Sequence, residues 1–145
     1  MEIQTSQEQT LTLAFAAAWN RVEKRLDSSL GSIRGISLAE YRLLRALSDA
    51  PSSWASRVDL AHTVGLTPSG VTRALRPLEK LGFISTAKSK RDARLALASL
   101  TPAGLELVED ATGVVNDTMR SILERSPKVA AHLDEMIGLL EDIGG

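Results

Sequence analysis

The chain has 145 residues, of which 43% are hydrophobic and 24% are charged, enough for one globular domain with its own core. It has no cysteine, which excludes disulfides, thiolate metal sites and thiol-based oxidant sensing. The net charge of −1 conceals a basic middle: residues 57–94 carry eight basic and three acidic side chains, a net +5 that suits a polyanion, whereas residues 103–145 have a net charge of −6.

Two amphipathic helices are predicted at the start of the chain. Apolar residues recur at spacings of three and four over about 7–30, and Gly31 with the short linker after it is expected to end this first helix. Ser37 and Glu40 then form a capping-box pattern that begins a second helix, which extends to about Ser48. The residues expected on its inner face are Leu38, Tyr41, Leu44 and Leu47.

A helix-turn-helix is predicted next. Ser56 begins a short helix that ends at about Val64, because Gly65 can adopt the positive φ of a helix C-terminus. Thr67 caps a fourth helix, with Pro68 at its first position, where the missing N–H costs nothing. This helix is expected to reach about residue 81 and to face the core with Val71, Leu75 and Leu78.

The fourth helix has the composition of a recognition helix, whose N-terminal end enters the major groove of DNA. Small polar side chains reach base edges or phosphates, and arginine binds guanine with two hydrogen bonds. The candidate DNA-binding residues are Thr67, Ser69, Thr72, Arg73 and Arg76. Pro77 disfavours helical dihedral angles at Arg76, so a kink is one expectation and the placement of Arg76 stays open. The alternative is a plain amphipathic helix with solvated arginines.

Two strand-like segments, 83–87 and 95–100, surround a basic tip over 88–94 and predict a β-hairpin. Such a tip repels itself unless it meets anions, and an arginine there can enter a narrow minor groove. The candidate DNA-binding residues of the hairpin are Lys88, Lys90, Arg91 and Arg94. The alternative is a solvated turn.

Two further helices are predicted after the hairpin, one that begins at Thr101 and Pro102 and one after a break at Ser126 and Pro127. Apolar residues in both recur with a mean period of ~3.5, the coiled-coil value. This apolar seam exceeds what one small domain can cover, so we expect a homodimer around a two-fold axis, with the first helix joining the interface. The alternative is an intramolecular hairpin of the last two helices.

The order and spacing of these motifs resemble the MarR family of transcription regulators. The segments that carry the resemblance are 35–47, 60–61, 66–73, 78–84, 91–94 (Arg-Asp-Ala-Arg) and 100–104 (Leu-Thr-Pro-Ala-Gly). The resemblance implies a mainly α fold with a small β-hairpin wing. It divides a single domain into a dimerisation helix (1–34), a winged helix-turn-helix (35–100) and C-terminal dimerisation helices (101–145). The residues to which it assigns recognition-helix or wing roles are Ser69, Thr72, Arg73, Arg76, Arg91 and Arg94, with Asp92 as the salt-bridge partner that orients a wing arginine.

Many members of this family bind small aromatic or anionic effectors between the dimer region and the DNA-binding lobe. The aromatic residues that could line such a cleft are Phe15, Trp19, Tyr41 and Trp54. The alternative is that they are ordinary core aromatics.

Together these observations predict a sequence-specific DNA-binding regulator, a homodimeric repressor on a pseudo-palindromic operator that a small-molecule effector releases. We expect no enzymatic activity, because the chain lacks a phosphate-binding loop and a triad pattern. His62 and His132 lie far apart in sequence, so no metal or cofactor is expected. No run of ~18 apolar residues and no signal-peptide pattern is present, so we expect a cytoplasmic protein. The competing class is a helical interaction protein whose winged domain binds a protein partner.

Overall fold

The computed structural model describes residues 1–92 and 95–145. In chain order, the elements of this part are α1 (Gln7–Arg34), α2 (Leu38–Ser48), β1 (Ala55–Ser56), α3 (Arg57–Val64), α4 (Pro68–Lys80), β2 (Ile84–Lys88), β3 (Ala96–Leu100), α5 (Pro102–Glu124), α6 (Pro127–Ala131) and α7 (Leu133–Gly144). The predicted fold class, mainly helical with a small β-hairpin, is confirmed.

One apolar core joins the second half of α1 to α2, α3, α4 and α5. Leu30, Leu44, Leu75 and Leu107, one from each of four helices, are at most 1% exposed. Burial of one such side chain contributes about 1.5–3 kcal/mol, so the core holds these helices in one arrangement. Within the described ranges, no helix combines the length and the apolar content needed to cross a membrane.

The first helix is longer than predicted. α1 continues through Gly31 and ends only at Gly35, which has a left-handed φ of 70° and donates its N–H to the Gly31 carbonyl at 3.1 Å. The added turn has tertiary support, because Arg34 forms an ion pair with Asp110 of α5 at 3.4 Å. The expectation that Gly31 ends the helix is therefore wrong. Glycine permits a helix end but does not impose one where the following turn has partners.

The capping box of the second helix is confirmed. The Ser37 hydroxyl accepts the Glu40 N–H at 3.0 Å, and the Glu40 carboxylate accepts the Ser37 N–H at 3.0 Å. The residues of the predicted inner face are buried except Tyr41, which is half-buried. Leu43 is also fully buried, although it lies outside the predicted stripe, because α2 packs against α1, α3, α5 and β3 on more than one side.

The predicted hairpin is present. β2 and β3 pair in antiparallel register from Ile84 opposite Leu100 to Lys88 opposite Ala96, within one residue of the predicted strands. Lys88 therefore lies in the last residue pair of the hairpin and not in its tip.

A third strand was not predicted. Ala55 and Ser56 form β1, which pairs with Ala98 and Leu97 and gives the sheet order β1-β3-β2. Two residues are too few to carry an alternating pattern, so only the partner strand in the folded chain defines β1.

The C-terminal region divides into two helices after the predicted break, because His132, with φ −126° and ψ 33°, interrupts the helix between α6 and α7. None of the α7 residues is buried, and its large apolar side chains are 38–67% exposed. Its contacts within the described chain are mainly with α6. α7 therefore does not pack its apolar stripe against α5. The alternative of an intramolecular hairpin does not explain why this stripe is apolar.

The helix-turn-helix turn yields a stability prediction. Gly65 has a φ of 69°, a conformation in which a Cβ costs about 1–2 kcal/mol. We expect Gly65→Ala to lower the free energy of unfolding by that amount in urea titrations. The control is Gly31→Ala, at a helical glycine with open space around it, which should leave the stability unchanged or raise it by up to about 1 kcal/mol. Equal losses in both variants would contradict the assignment.

Candidate DNA-binding surface

The turn of the helix-turn-helix places the N-terminus of α4 at the surface. After Gly65, the Leu66 N–H donates to the Ala61 carbonyl at 2.9 Å and closes the end of α3. The Thr67 hydroxyl then accepts the Gly70 N–H at 3.0 Å and caps α4, with Pro68 in its first turn. The predicted cap is confirmed. The Thr67 hydroxyl therefore stabilises the first turn of α4, which carries the candidate Ser69.

The two faces of α4 are sharply different. Val71, Leu75 and Leu78 are 0–1% exposed and pack in the core, as predicted. The opposite face, at i, i+4 and i+7, carries the exposed side chains of Ser69, Arg73 and Arg76. Thr72, beside them, is half-buried and donates its hydroxyl to the Pro68 carbonyl at 3.1 Å, which leaves its oxygen as an acceptor. One continuous polar and basic face therefore lies outward on a helix that the core holds.

Pro77 does not interrupt α4, which is helical without a break over Pro68–Lys80. The proline has no N–H to donate to the carbonyl four residues earlier, and that carbonyl belongs to Arg73. Arg76 remains on the exposed face of the helix. Arg76 therefore lies one helical turn after Arg73 on the same face, as in an unbroken helix.

The wing presents a group of cations. Lys88, Lys90 and Arg91 are exposed, and Asp92 is half-buried. Arg94, the fourth predicted cation, lies outside the described residues. We call the exposed cations of the wing and of α4 the basic face; they are Lys88, Lys90, Arg91, Arg73 and Arg76.

Sequence reasoning missed the residue that shapes the wing tip. The Ser89 N–H donates to the Leu95 carbonyl at 2.9 Å, and the Ser89 hydroxyl accepts the N–H groups of Arg91 and Asp92 at 3.2 and 3.4 Å. A serine that binds the backbone two and three residues ahead is a recurring turn motif, and that signal is present in the sequence. Ser89 thus positions the backbone of Arg91.

A second missed contact ties the wing to α4. The Thr86 hydroxyl of β2 donates to the Glu79 carboxylate at 2.6 Å. Glu79 lies near the end of α4, one turn beyond Arg76. The recognition helix and the wing are therefore joined by a charge-assisted hydrogen bond as well as by the chain between them.

No ion pair between described residues neutralises the basic face. The ion pairs formed between described residues include none of its five cations, which are Arg73, Arg76, Lys88, Lys90 and Arg91. Ion pairs elsewhere, such as those of Arg34 and Arg45, fall outside this face. A surface of exposed, unpaired cations around a helix N-terminus is suited to phosphate groups.

Comparisons with known proteins agree with this geometry. Residues 34–95 match the sequence profile of the MarR family. PrsX of Escherichia coli, an HTH-type transcriptional regulator, is 26% identical over 142 residues, which cover 90% of this chain and 85% of that protein. Residues 34–95, which span the helix-turn-helix and the wing up to Leu95, therefore resemble the MarR family. The comparisons support a DNA-binding transcription regulator.

Solved MarR-family structures share the fold over nearly the whole chain. Sco3205, a MarR family regulator from Streptomyces coelicolor solved in complex with DNA, has a TM-score of 0.80 at 25% identity, covering 98% of this chain and 91% of that one. The transcriptional regulator BldR from Sulfolobus solfataricus has a TM-score of 0.81 at 23% identity, covering 97% of this chain and 99% of that one. The MarR-family fold therefore includes the N- and C-terminal helices as well as residues 34–95.

Three of the four aromatic candidates lie at the surface of the protein. Phe15, Trp19 and Trp54 are 37–46% exposed, and the hydroxyl of the half-buried Tyr41 hydrogen-bonds the Thr112 hydroxyl at 2.9 Å. Two shallow surface depressions of the described chain, within 3–13 and 130–135, include none of the four. An effector site at these residues stays a prediction.

Proposed function

We propose that the protein is a homodimeric repressor that binds a pseudo-palindromic operator with one α4 helix and one wing from each subunit. The observation that carries the proposal is the basic face: its cations on α4 and the wing are exposed and form no ion pair with a described residue, and α4 begins at a capped, exposed N-terminus. Major-groove readout requires such an N-terminus, and the wing supplies contacts in the flanking groove or on the phosphates.

The homodimer is supported by apolar faces that this chain leaves uncovered. In α7, Leu133, Ile137 and Leu140 lie on one face and are 39–45% exposed. In the first half of α1, Leu11, Phe15 and Trp19 recur at spacings of four and are 44–58% exposed. A second copy of the same helices around a two-fold axis is the simplest cover for two such stripes on helices that flank the DNA-binding elements.

Two-fold symmetry also gives the protein its operator geometry. Two recognition helices related by such an axis read two half-sites about one helical turn apart, so the operator is a pseudo-palindrome. Repression follows from occupation of promoter DNA. The proposal includes a cytoplasmic location, because the protein must reach DNA. It includes no enzymatic activity, because the relatives are regulators.

The test of DNA contact is the salt dependence of operator binding. A duplex selected from a random pool with the wild-type protein serves as the operator. We expect Lys90→Ala/Arg91→Ala to weaken binding to all sequences alike. The plot of log K against log salt should become less steep by about 0.9 for each phosphate that the variant no longer neutralises.

The matched control is Arg125→Ala/Lys128→Ala, which removes the same charge from exposed positions in the acidic C-terminal region. It should leave the slope as in the wild type. If the wild type selects no sequence and shows no salt slope, the DNA proposal fails, and a winged domain that binds a protein partner becomes the hypothesis to test.

A further inference from the structure

The first turn of α5 lies against the turn between α4 and β2 at a distance that only glycine permits. A Cβ on Gly104 would be 1.9 Å from the Phe83 carbonyl oxygen and 3.2 Å from the Leu100 side chain. Side-chain carbons do not approach backbone oxygens closer than 3.0 Å, so any other residue would separate the two backbones by about 1 Å. Gly104 is buried, so the contact is an internal one.

Thr101 holds the same contact with hydrogen bonds. Its hydroxyl donates to the Gly82 carbonyl at 2.6 Å, and its backbone N–H donates to the Phe83 carbonyl at 3.1 Å. The same hydroxyl oxygen accepts the Gly104 N–H at 3.1 Å and so caps α5. We call this set of contacts among Gly82, Phe83, Thr101 and Gly104 the α5 junction.

Both DNA-reading elements end at the α5 junction. The Gly82 and Phe83 N–H groups donate to the Glu79 and Leu78 carbonyls at 3.0 and 2.9 Å, which ties the junction to the last turn of α4. β2 begins at the next residue, Ile84. The recognition helix, the base of the wing and the start of the long helix therefore meet at one place.

We infer that the α5 junction is a positioning element that sets the angle between the DNA-reading elements and α5, and through it the half-site spacing that the dimer accepts. The inference rests on the proposed homodimer, in which α5 leads from the DNA-binding elements to α6 and α7. The 23 residues of α5 extend about 35 Å, so a rotation of about 5° at its first turn moves its far end by about 3 Å. That displacement is close to the ~3.4 Å rise of one base pair.

The experiment is a spacing series. The operator selected with the wild type is made with its centre shortened by one base pair, unchanged, and lengthened by one base pair, and the affinity of each duplex is measured. For Gly104→Ala we expect a loss of about tenfold or more at the wild-type spacing together with a changed order of preference among the three duplexes. Gly31→Ala, the same substitution at a helical glycine with open space, should keep the wild-type order.

A pair of variants at Thr101 tests the junction without adding a Cβ at Gly104. Thr101→Val removes the hydroxyl and should change the order of preference among the three duplexes. Thr101→Ser keeps the hydroxyl and should show the wild-type order. This pair decides the matter if Gly104→Ala does not fold. Because loss of stability alone lowers all three affinities by the same factor, an unchanged order in the variants overturns the inference.

The proposed function has its own separate outcome in this experiment. A wild-type chain that is monomeric or binds no duplex overturns the proposed function and the inference with it. Wild-type binding with an unchanged order in the variants overturns the inference alone.

Discussion

Leu140→Asp is expected to convert the protein to a monomer in sedimentation and to weaken operator binding by more than about 100-fold. Leu140 is 41% exposed on the apolar face of α7, a helix with no buried residue in the described chain. At a two-fold interface, the substitution buries an unpaired carboxylate from each subunit, which costs several kcal/mol per charge. A monomer then loses the gain of about 10²–10⁴ that comes from binding two linked half-sites.

The matched control introduces the same charge on the other side of the same helix. Gly138 lies on the polar face of α7 with open space around it, so Gly138→Asp should remain dimeric and bind the operator normally. Because α7 contributes nothing to the core of its own chain, Gly138→Asp should unfold at nearly the wild-type temperature. Leu140→Asp should lose only the concentration-dependent stability that dimerisation adds. If the Leu140→Asp protein remains a dimer, α7 does not form the dimer interface.

Arg73→Ala is expected to relax base preference as well as to lower operator affinity. Arg73 lies one turn into α4 on its exposed face and has no ion-pair partner among the described residues. A bidentate contact between arginine and guanine contributes about 1–3 kcal/mol of discrimination, so the variant should lose about 5- to 150-fold in preference at one operator position. Competition between the selected operator and single-base variants measures this loss position by position.

Arg73→Lys distinguishes base readout from simple charge. Lysine keeps the positive charge but lacks the planar fork, so it should retain the salt slope and still lose preference at that position. If Arg73→Ala weakens all duplexes by one factor, the side chain contacts phosphate only, and Ser69, Thr72 and Arg76 would remain as the candidates for base readout.

Local rules predicted much of the fold. The capping box of Ser37 and Glu40, the left-handed Gly65 and the Thr67 cap each involve residues within four positions of one another, so the sequence shows them directly. The buried face of α4 follows in the same way from its helical spacing. The exposure of Ser69, Arg73 and Arg76 on the opposite face follows from the same spacing, whereas their contact with DNA stays a prediction.

Long-range contacts account for what the sequence did not reveal. β1 exists only because Ala55 and Ser56 find a partner in β3, 41 or more residues later. α1 continues past Gly31 with support from Arg34 and Asp110, which are about half the chain's length apart in sequence. Neither contact leaves a periodic signal in its own segment, because the partner is not in that segment.

The division between the two kinds of information is clearest around the recognition helix. Its start, its two faces and its basic side chains depend on propensity, capping and periodicity, all of which act over a few residues and are readable in the chain. Its attachment to the wing through Thr86 and to α5 through Gly104 depends on which backbones meet after folding. Close packing selects a single arrangement of distant segments, and that selection is what orients the basic residues of α4 and the wing.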